Sequence, residues 1–202
     1  GLAGIPGLII GGMLGDRMAR QRANGRLLVG TVAIFISAPL MFVGLARPVG
    51  DMVGFVLFAG LGMASMYVYY STVYSAIQDV IEPALRGTAM ALYFFAMYVL
   101  GASLGPLGMG FLSSHFTRSA AVAAGVTDTS FQALRPFAAA GLHSALYVVP
   151  VFGVLLGLVL FAASRTVARD MERLQRWMRE SAIREALPET MPAEAVAPIA
   201  SR

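Results

Sequence analysis

The sequence predicts an all-α integral membrane protein, and three observations carry that reading. Of its 202 residues 57% are hydrophobic and only 13% charged, against about 25% charged in an ordinary soluble domain. Four uncharged windows are each about 20 residues or longer, enough to cross a bilayer as a helix. The charges gather at the ends of those windows. In hydrocarbon no water satisfies backbone N–H and C=O groups, so such windows must be helical. The chain has no cysteine, which excludes a disulfide framework or a thiolate metal site. No metal-ligand cluster, phosphate-binding loop or hydrolase motif occurs, so no cofactor and no enzymatic activity are expected. The net charge of +4 does not point to nucleic acid, because basic residues at span ends set membrane orientation.

The elements follow in order. The opening stretch, residues 1–15, is apolar but short. The fourteen residues GLAGIPGLIIGGML reach about 21 Å at 1.5 Å each, less than the roughly 30 Å of hydrocarbon. It is read as the end of a helix that begins before the sequence does. A signal peptide would need positive charge ahead of its apolar core. The full spans cover about 27–46, between Arg26 and Arg47; 52–78, between Asp51 and Asp79; 88–113, after Arg86; and 144–164, before Arg165. Between the last two spans, Thr129 and Gln132 have capping-pair spacing and predict a short helix. Residues 165–187 read as an amphipathic helix. Val167, Met171, Leu174 and Met178 share a face beside Trp177, and Glu172–Arg176 and Glu180–Arg184 are favourable i,i+4 pairs. This segment suits either an anionic leaflet or solvent. Residues 188–202, with Pro188, Pro192 and Pro198 among small residues, read as a disordered tail.

Arginine sets the orientation. One side of the alternating spans holds Arg17, Arg20, Arg22, Arg26, Arg86, Arg165, Arg169, Arg173, Arg176, Arg179, Arg184 and Arg202; the other holds Arg47, Arg118 and Arg135. Twelve against three puts the first side, and the C-terminus, in the cytoplasm.

Gly12, Asp16, Arg17 and Arg20 fit the pattern GxxxDRxGR, with Ala19 where the second glycine belongs. This resembles the loop signature of the major facilitator superfamily of transporters. Pro83 and Arg86-Gly87-Thr88, followed by a Gly- and Pro-rich helix through residue 112, resemble the C-terminal half of spinster-like transporters, a branch of that superfamily. The resemblance implies part of one six-helix half of a twelve-helix fold: the end of helix eight and helices nine to twelve. It implies a bacterial inner-membrane protein whose other, N-terminal half lies outside the sequence, along with the carboxylates expected for proton coupling. It also implies alternating access, and an amphiphilic cargo such as a lysolipid or sphingoid-like lipid. Gly12, Asp16, Arg17 and Arg20 would then form a cytoplasmic latch, with Glu82 and Arg86 in the neighbouring gate network.

The span 52–78 corresponds to helix ten, which lines the central cavity in that family. Its composition fits: Tyr67, Tyr70, Ser71, Tyr74 and Gln78 recur at three- and four-residue spacing and share a face. Polar groups in a span are costly toward lipid, so the face should look inward. Tyrosine suits an amphiphile, its ring packing on chains and its hydroxyl bonding a head group. Gly7 and Gly11, and again Gly101 and Gly105 before Pro106, have the spacing that lets helix backbones approach closely. Pro106 removes a backbone donor and can kink its helix. Two other readings stand beside this one: a general drug or metabolite transporter of the same superfamily, and a non-transporting membrane scaffold or sensor.

Overall fold

Where the apolar windows lie, the chain is helical. The computed structural model describes residues 4–48 and 50–186; the tail expected over 188–202 lies outside the described residues. Helix α1 runs Gly4–Ala19, α2 Gly25–Leu45 and α3 Met52–Asp79. A 3-10 turn, Pro83–Leu85, leads into α4, Arg86–Ala96, which passes through a π-helical stretch, Met97–Ser103, into α5, Leu104–Ala123. A short helix α6, Phe131–Leu134, a 3-10 turn, Arg135–Phe137, and α7, Ala138–Leu146, precede α8, Val148–Ala186. Four helical stretches, Gly25–Leu45, Met52–Asp79, Pro83–Ala123 and Phe131–Arg184, are long and apolar enough to cross a membrane. The protein is an all-α membrane protein.

Helices α2 and α3 form the antiparallel centre. Hydroxyls clasp them in both directions: Ser37 donates to the Gly62 carbonyl at 2.8 Å and Ser65 to the Ala33 carbonyl at 2.8 Å. Hydrogen-bonding side chains that bridge helices in this way are a main adhesive where lipid tails remove the hydrophobic drive between helices. Leu27 and Ile34 of α2, Tyr69 and Val73 of α3, and Leu160 and Val167 of α8 make the core. Helix α8 runs antiparallel to α2, with Gly153 against Ala38 and Gly157 against Phe35. Helix α1 runs parallel to α3 along a glycine seam: Gly4 faces Tyr67, Gly7 faces Ala64, Gly11 faces Val68 and Ser71, and Gly15 faces Thr72. A Cβ at Gly7 or Gly11 would collide with the Ala64 carbonyl oxygen or the Ser71 hydroxyl.

Several expectations shift in detail. The Asp16-Arg17 pair lies on the last turns of α1, and the actual turn is Arg20–Asn24. Helix formation runs through the pair because α1 keeps its seam on α3 as far as Gly15. The cap of the loop helix is Ser130, whose hydroxyl accepts from the Ala133 N–H at 3.4 Å, one residue past Thr129. Asp128 wins the local competition by receiving both the Ser130 N–H and hydroxyl. The third span continues to Ala123, ten residues beyond 113. Residues 165–186 are not a separate helix: α8 carries on through Arg165 without a break, so it leaves the bilayer along its own axis instead of turning onto the leaflet. Finally, Gly101 and Gly105 have nothing within 4 Å of where a Cβ would stand. The close approach expected there is absent among the described residues.

Candidate functional site

Two groupings on α3 draw most of the candidate residues together. The first is ionic and sits where α1 ends, α2 begins and α3 ends. Arg26, on the first turn of α2, donates from Nη2 to Asp16 Oδ1 at 2.9 Å and from Nη1 to Asp79 Oδ2 at 2.5 Å. One guanidinium thus joins three helix ends. Arg26 and Asp79 are 24% and 28% exposed and Asp16 62%, so the α3 carboxylate is the enclosed partner. Arg26 Nε is buried and has no hydrogen-bond partner among the described residues. Beside this cluster, Asn24 donates from Nδ2 to the Ser164 carbonyl at 3.1 Å, tying the α1–α2 turn to α8. Arg86 donates from Nε to the Gln78 carbonyl at 3.0 Å, satisfying an acceptor at the end of α3 that the helix leaves open. Glu82 precedes the 3-10 turn and makes no side-chain cap bond.

Asp16 and Arg86 therefore take part in this end of the bundle. Arg17 and Arg20 make no ion pair among the described residues, and Gly12 has open space around it. The sequence reading missed Arg26 as a working residue, taking it only as the edge of a span. Its signal was present: a lone arginine one turn inside an apolar run, opposite two aspartates that end neighbouring runs.

The second grouping is aromatic. Tyr70 stands 5.9 Å from Tyr74, ring centre to ring centre, and Tyr74 stands 5.6 Å from Tyr93 and 5.5 Å from Phe94 of α4. Tyr93 and Phe94 are themselves 5.6 Å apart. The pairs are tilted or edge-on, the arrangements that ring quadrupoles favour. Tyr69, buried in the core, backs Tyr70 at 5.2 Å. Tyr70, Tyr74, Tyr93 and Phe94 are all half-buried, so they form a wall with one side still open.

The polar face read from spacing alone divides here. Tyr70 and Tyr74 turn toward α4. Tyr67 and Ser71 lie along the α1 glycine seam, and the Ser71 hydroxyl is spent on the Val68 carbonyl at 3.0 Å. Gln78 is exposed at the ionic end. Tyr93 and Phe94 were not foreseen, because α4 shows no polar periodicity and only the packed structure brings it against α3. Such a wall offers ring faces and hydroxyls without formal charge. It can pack on apolar or aromatic groups and hydrogen-bond a polar head.

No family model matches this chain. It is 34% identical over 117 residues to an MFS-type efflux pump of Mycolicibacterium smegmatis, a match that covers 58% of this chain and 27% of that protein. It is 27% identical over 118 residues to Protein spinster homolog 1 of Mus musculus, covering 58% of this chain and 22% of that protein. The matched stretch thus spans about a quarter of the length of these curated relatives. Neither relative is an enzyme. With an all-α membrane fold, a GxxxDR-type turn held by Arg26 and these two relatives, the chain is related to the major facilitator superfamily and its spinster-like members.

Proposed function

We infer that the chain is part of a secondary transporter that moves an amphiphilic organic substrate, a lysolipid or sphingoid-like lipid, by alternating access. The observation that carries this is the half-open wall of Tyr70, Tyr74, Tyr93 and Phe94, set in an otherwise apolar span. Uncharged hydroxyls beside ring faces suit a molecule with a polar head and a greasy body. The Asp16–Arg26–Asp79 cluster is the latch of this reading. It ties α1 to α3 at one end of the bundle and would break or form as the halves rock. The arginine-rich end is the cytoplasmic one, which puts the C-terminus in the cytoplasm of a bacterial inner membrane. The other half of the transporter completes the cavity and supplies the carboxylates for proton coupling.

The test is uptake or efflux in vesicles containing the complete protein, comparing lysolipids with polar metabolites. Tyr70→Ala and Tyr74→Ala are each expected to raise KM for lysolipid about tenfold or more while leaving the protein folded. Unchanged lysolipid transport in both variants would remove the wall from the pathway. A second reading, a broader exporter of drugs or metabolites, is favoured by the relative that is an efflux pump; polar or aromatic drugs outcompeting lysolipids in the same assay would select it. If loss of residues 165–202 abolished function and both alanine variants were silent, a scaffold or sensor role would replace transport.

A further inference from the structure

A cavity of about 550 Å³ lies between α2, α5 and α8, away from the ionic cluster and one turn along α3 from Tyr70, whose neighbour Met66 forms its floor. Ile34 and Met41 of α2, Leu104 and Leu112 of α5, and Phe152 and Leu156 of α8 wall it. The α2 residues that line it are 9 to 16 positions from Gly25, or about 14–24 Å from the arginine-rich end at 1.5 Å each. The cavity therefore sits wholly at hydrocarbon depth, toward the leaflet opposite the arginines. Ser37 is its one polar side chain, and that hydroxyl is already committed to the Gly62 carbonyl. Nothing in the lining can hold water or a charge.

A void of this size does not stay empty in a bilayer. An apolar cavity of about 150 Å³ already binds benzene, and unfilled space forfeits dispersion contacts along its whole lining. Closure by α5 is opposed at both ends. Arg86 fastens the start of α4 to the end of α3, and Thr117 of α5 is wedged against Gly141 of α7. Between them the chain widens into the π stretch Met97–Ser103, from which Leu100 lines the cavity. Pro106 lies just beyond and gives no N–H to the preceding turn. Gly105 and Gly108 present bare backbone to the space, with nothing within 4 Å of a Cβ. At the rim, Leu104 is 54% and Phe152 63% exposed, so the mouth opens onto lipid.

We propose that this cavity is a binding site for one acyl chain of a bilayer phospholipid, entering sideways between α5 and α8. The occupant is an aliphatic chain because the lining carries no free hydrogen-bonding or charged group. It comes from the bilayer because the mouth faces hydrocarbon. The proposal does not depend on the cargo of the transporter.

The experiment places the complete protein in phosphatidylcholine bilayers holding a trace of phosphatidylcholine with a diazirine midway along one chain. After irradiation, labelled peptides are mapped by mass spectrometry. Labelling of residues 100–112 and 149–156 is expected to exceed that of the exposed α1 face at Ile5 and Ile9 about fivefold or more. Gly105→Leu and Gly108→Leu, which fill the space without striking a described neighbour, should each remove that excess and leave the α1 label intact, which also reports a folded protein. Label spread evenly over exposed apolar residues, or an excess that survives both fillings, would overturn the proposal. A parallel arm adds a diazirine-bearing fatty acid as a solute; if it labels the cavity and the phospholipid does not, the site takes free amphiphiles and the bilayer-lipid assignment is wrong.

Discussion

Arg26 holds two carboxylates, and the two are not equal. Asp16 is 62% exposed and Asp79 28%. Exposed ion pairs contribute about 0–1 kcal/mol, whereas taking the partner from an enclosed charge costs about 1–3 kcal/mol. Asp79→Asn is therefore expected to destabilise the protein by about 1–3 kcal/mol and Asp16→Asn by less than about 1, read as unfolding in detergent. An equal loss for both would show that enclosure does not set the strength of the cluster. Asp51 gives a second residue-scale prediction. It caps α3 by accepting the Gly54 N–H at 2.9 Å, and this bond, with help from Arg47, holds its carboxyl below the usual aspartate range. A depressed folded pKa means that the contribution is fully present above the unfolded value, about 3.9, and is lost as pH falls through the folded one. Amide exchange at the first turn of α3, corrected for intrinsic rates, should accelerate below about pH 3.9. Asp51→Asn keeps a good capping residue and should abolish that acid response. These polar contacts were half legible in the sequence. Charges at span ends are visible as boundaries, but which charge meets which depends on helices folding back on one another.

At the scale of elements, two glycine stripes with the same spacing turn out to do different things. Along α1, Gly7 and Gly11 press on the α3 backbone; along the π stretch and α5, Gly101 and Gly105 face open space. Gly11→Leu is expected to destabilise by about 1–3 kcal/mol through overpacking. Gly105→Ala should be neutral or add about 0.5–1 kcal/mol, since alanine loses less backbone entropy in a helix. Thermal unfolding of the two variants in one detergent checks the contrast, and a Gly105→Ala loss as large as that of Gly11→Leu would put a hidden neighbour against α5. Spacing could not separate the stripes, because a small residue records permission for contact and the neighbour decides whether contact occurs. The same limit hid the aromatic wall. Tyr70 and Tyr74 were readable from their period on α3, but Tyr93 and Phe94 joined them only through packing. The π stretch left no trace in composition beyond Pro106 at its far side. The spans themselves were readable to within a few residues at most ends, because apolar length is a local property that lipid enforces directly.

At the scale of the whole molecule the cross-bundle contacts fix a strict alternation. Asn24 meets Ser164, and Arg26 meets Asp16 and Asp79, at one end. His143 Nε2 meets the Leu45 carbonyl at 2.7 Å at the other. The arginine asymmetry read from the sequence then has a physical pair of faces to act on, and it assigns the Asp16–Arg26–Asp79 end to the cytoplasm. The absence of cysteine makes this directly testable, since any introduced thiol is the sole target. In the complete protein, expressed in intact bacterial cells and provided its remaining part is also free of cysteine, Asp128→Cys should react with a membrane-impermeant maleimide added from outside. Arg20→Cys and Arg179→Cys should react only after the membrane is opened. Arg179→Cys carries the sharper information, because α8 runs unbroken from the bilayer to Ala186. A helix projecting along its axis leaves that thiol fully reactive in opened membranes, whereas one folded onto the leaflet would bury its apolar side and slow labelling of Met178→Cys by about tenfold relative to Arg179→Cys. Comparable rates at the two adjacent positions, both from the inside, are the expected result. Labelling of Arg20→Cys from outside would invert the molecule and take the ionic cluster away from the cytoplasmic latch.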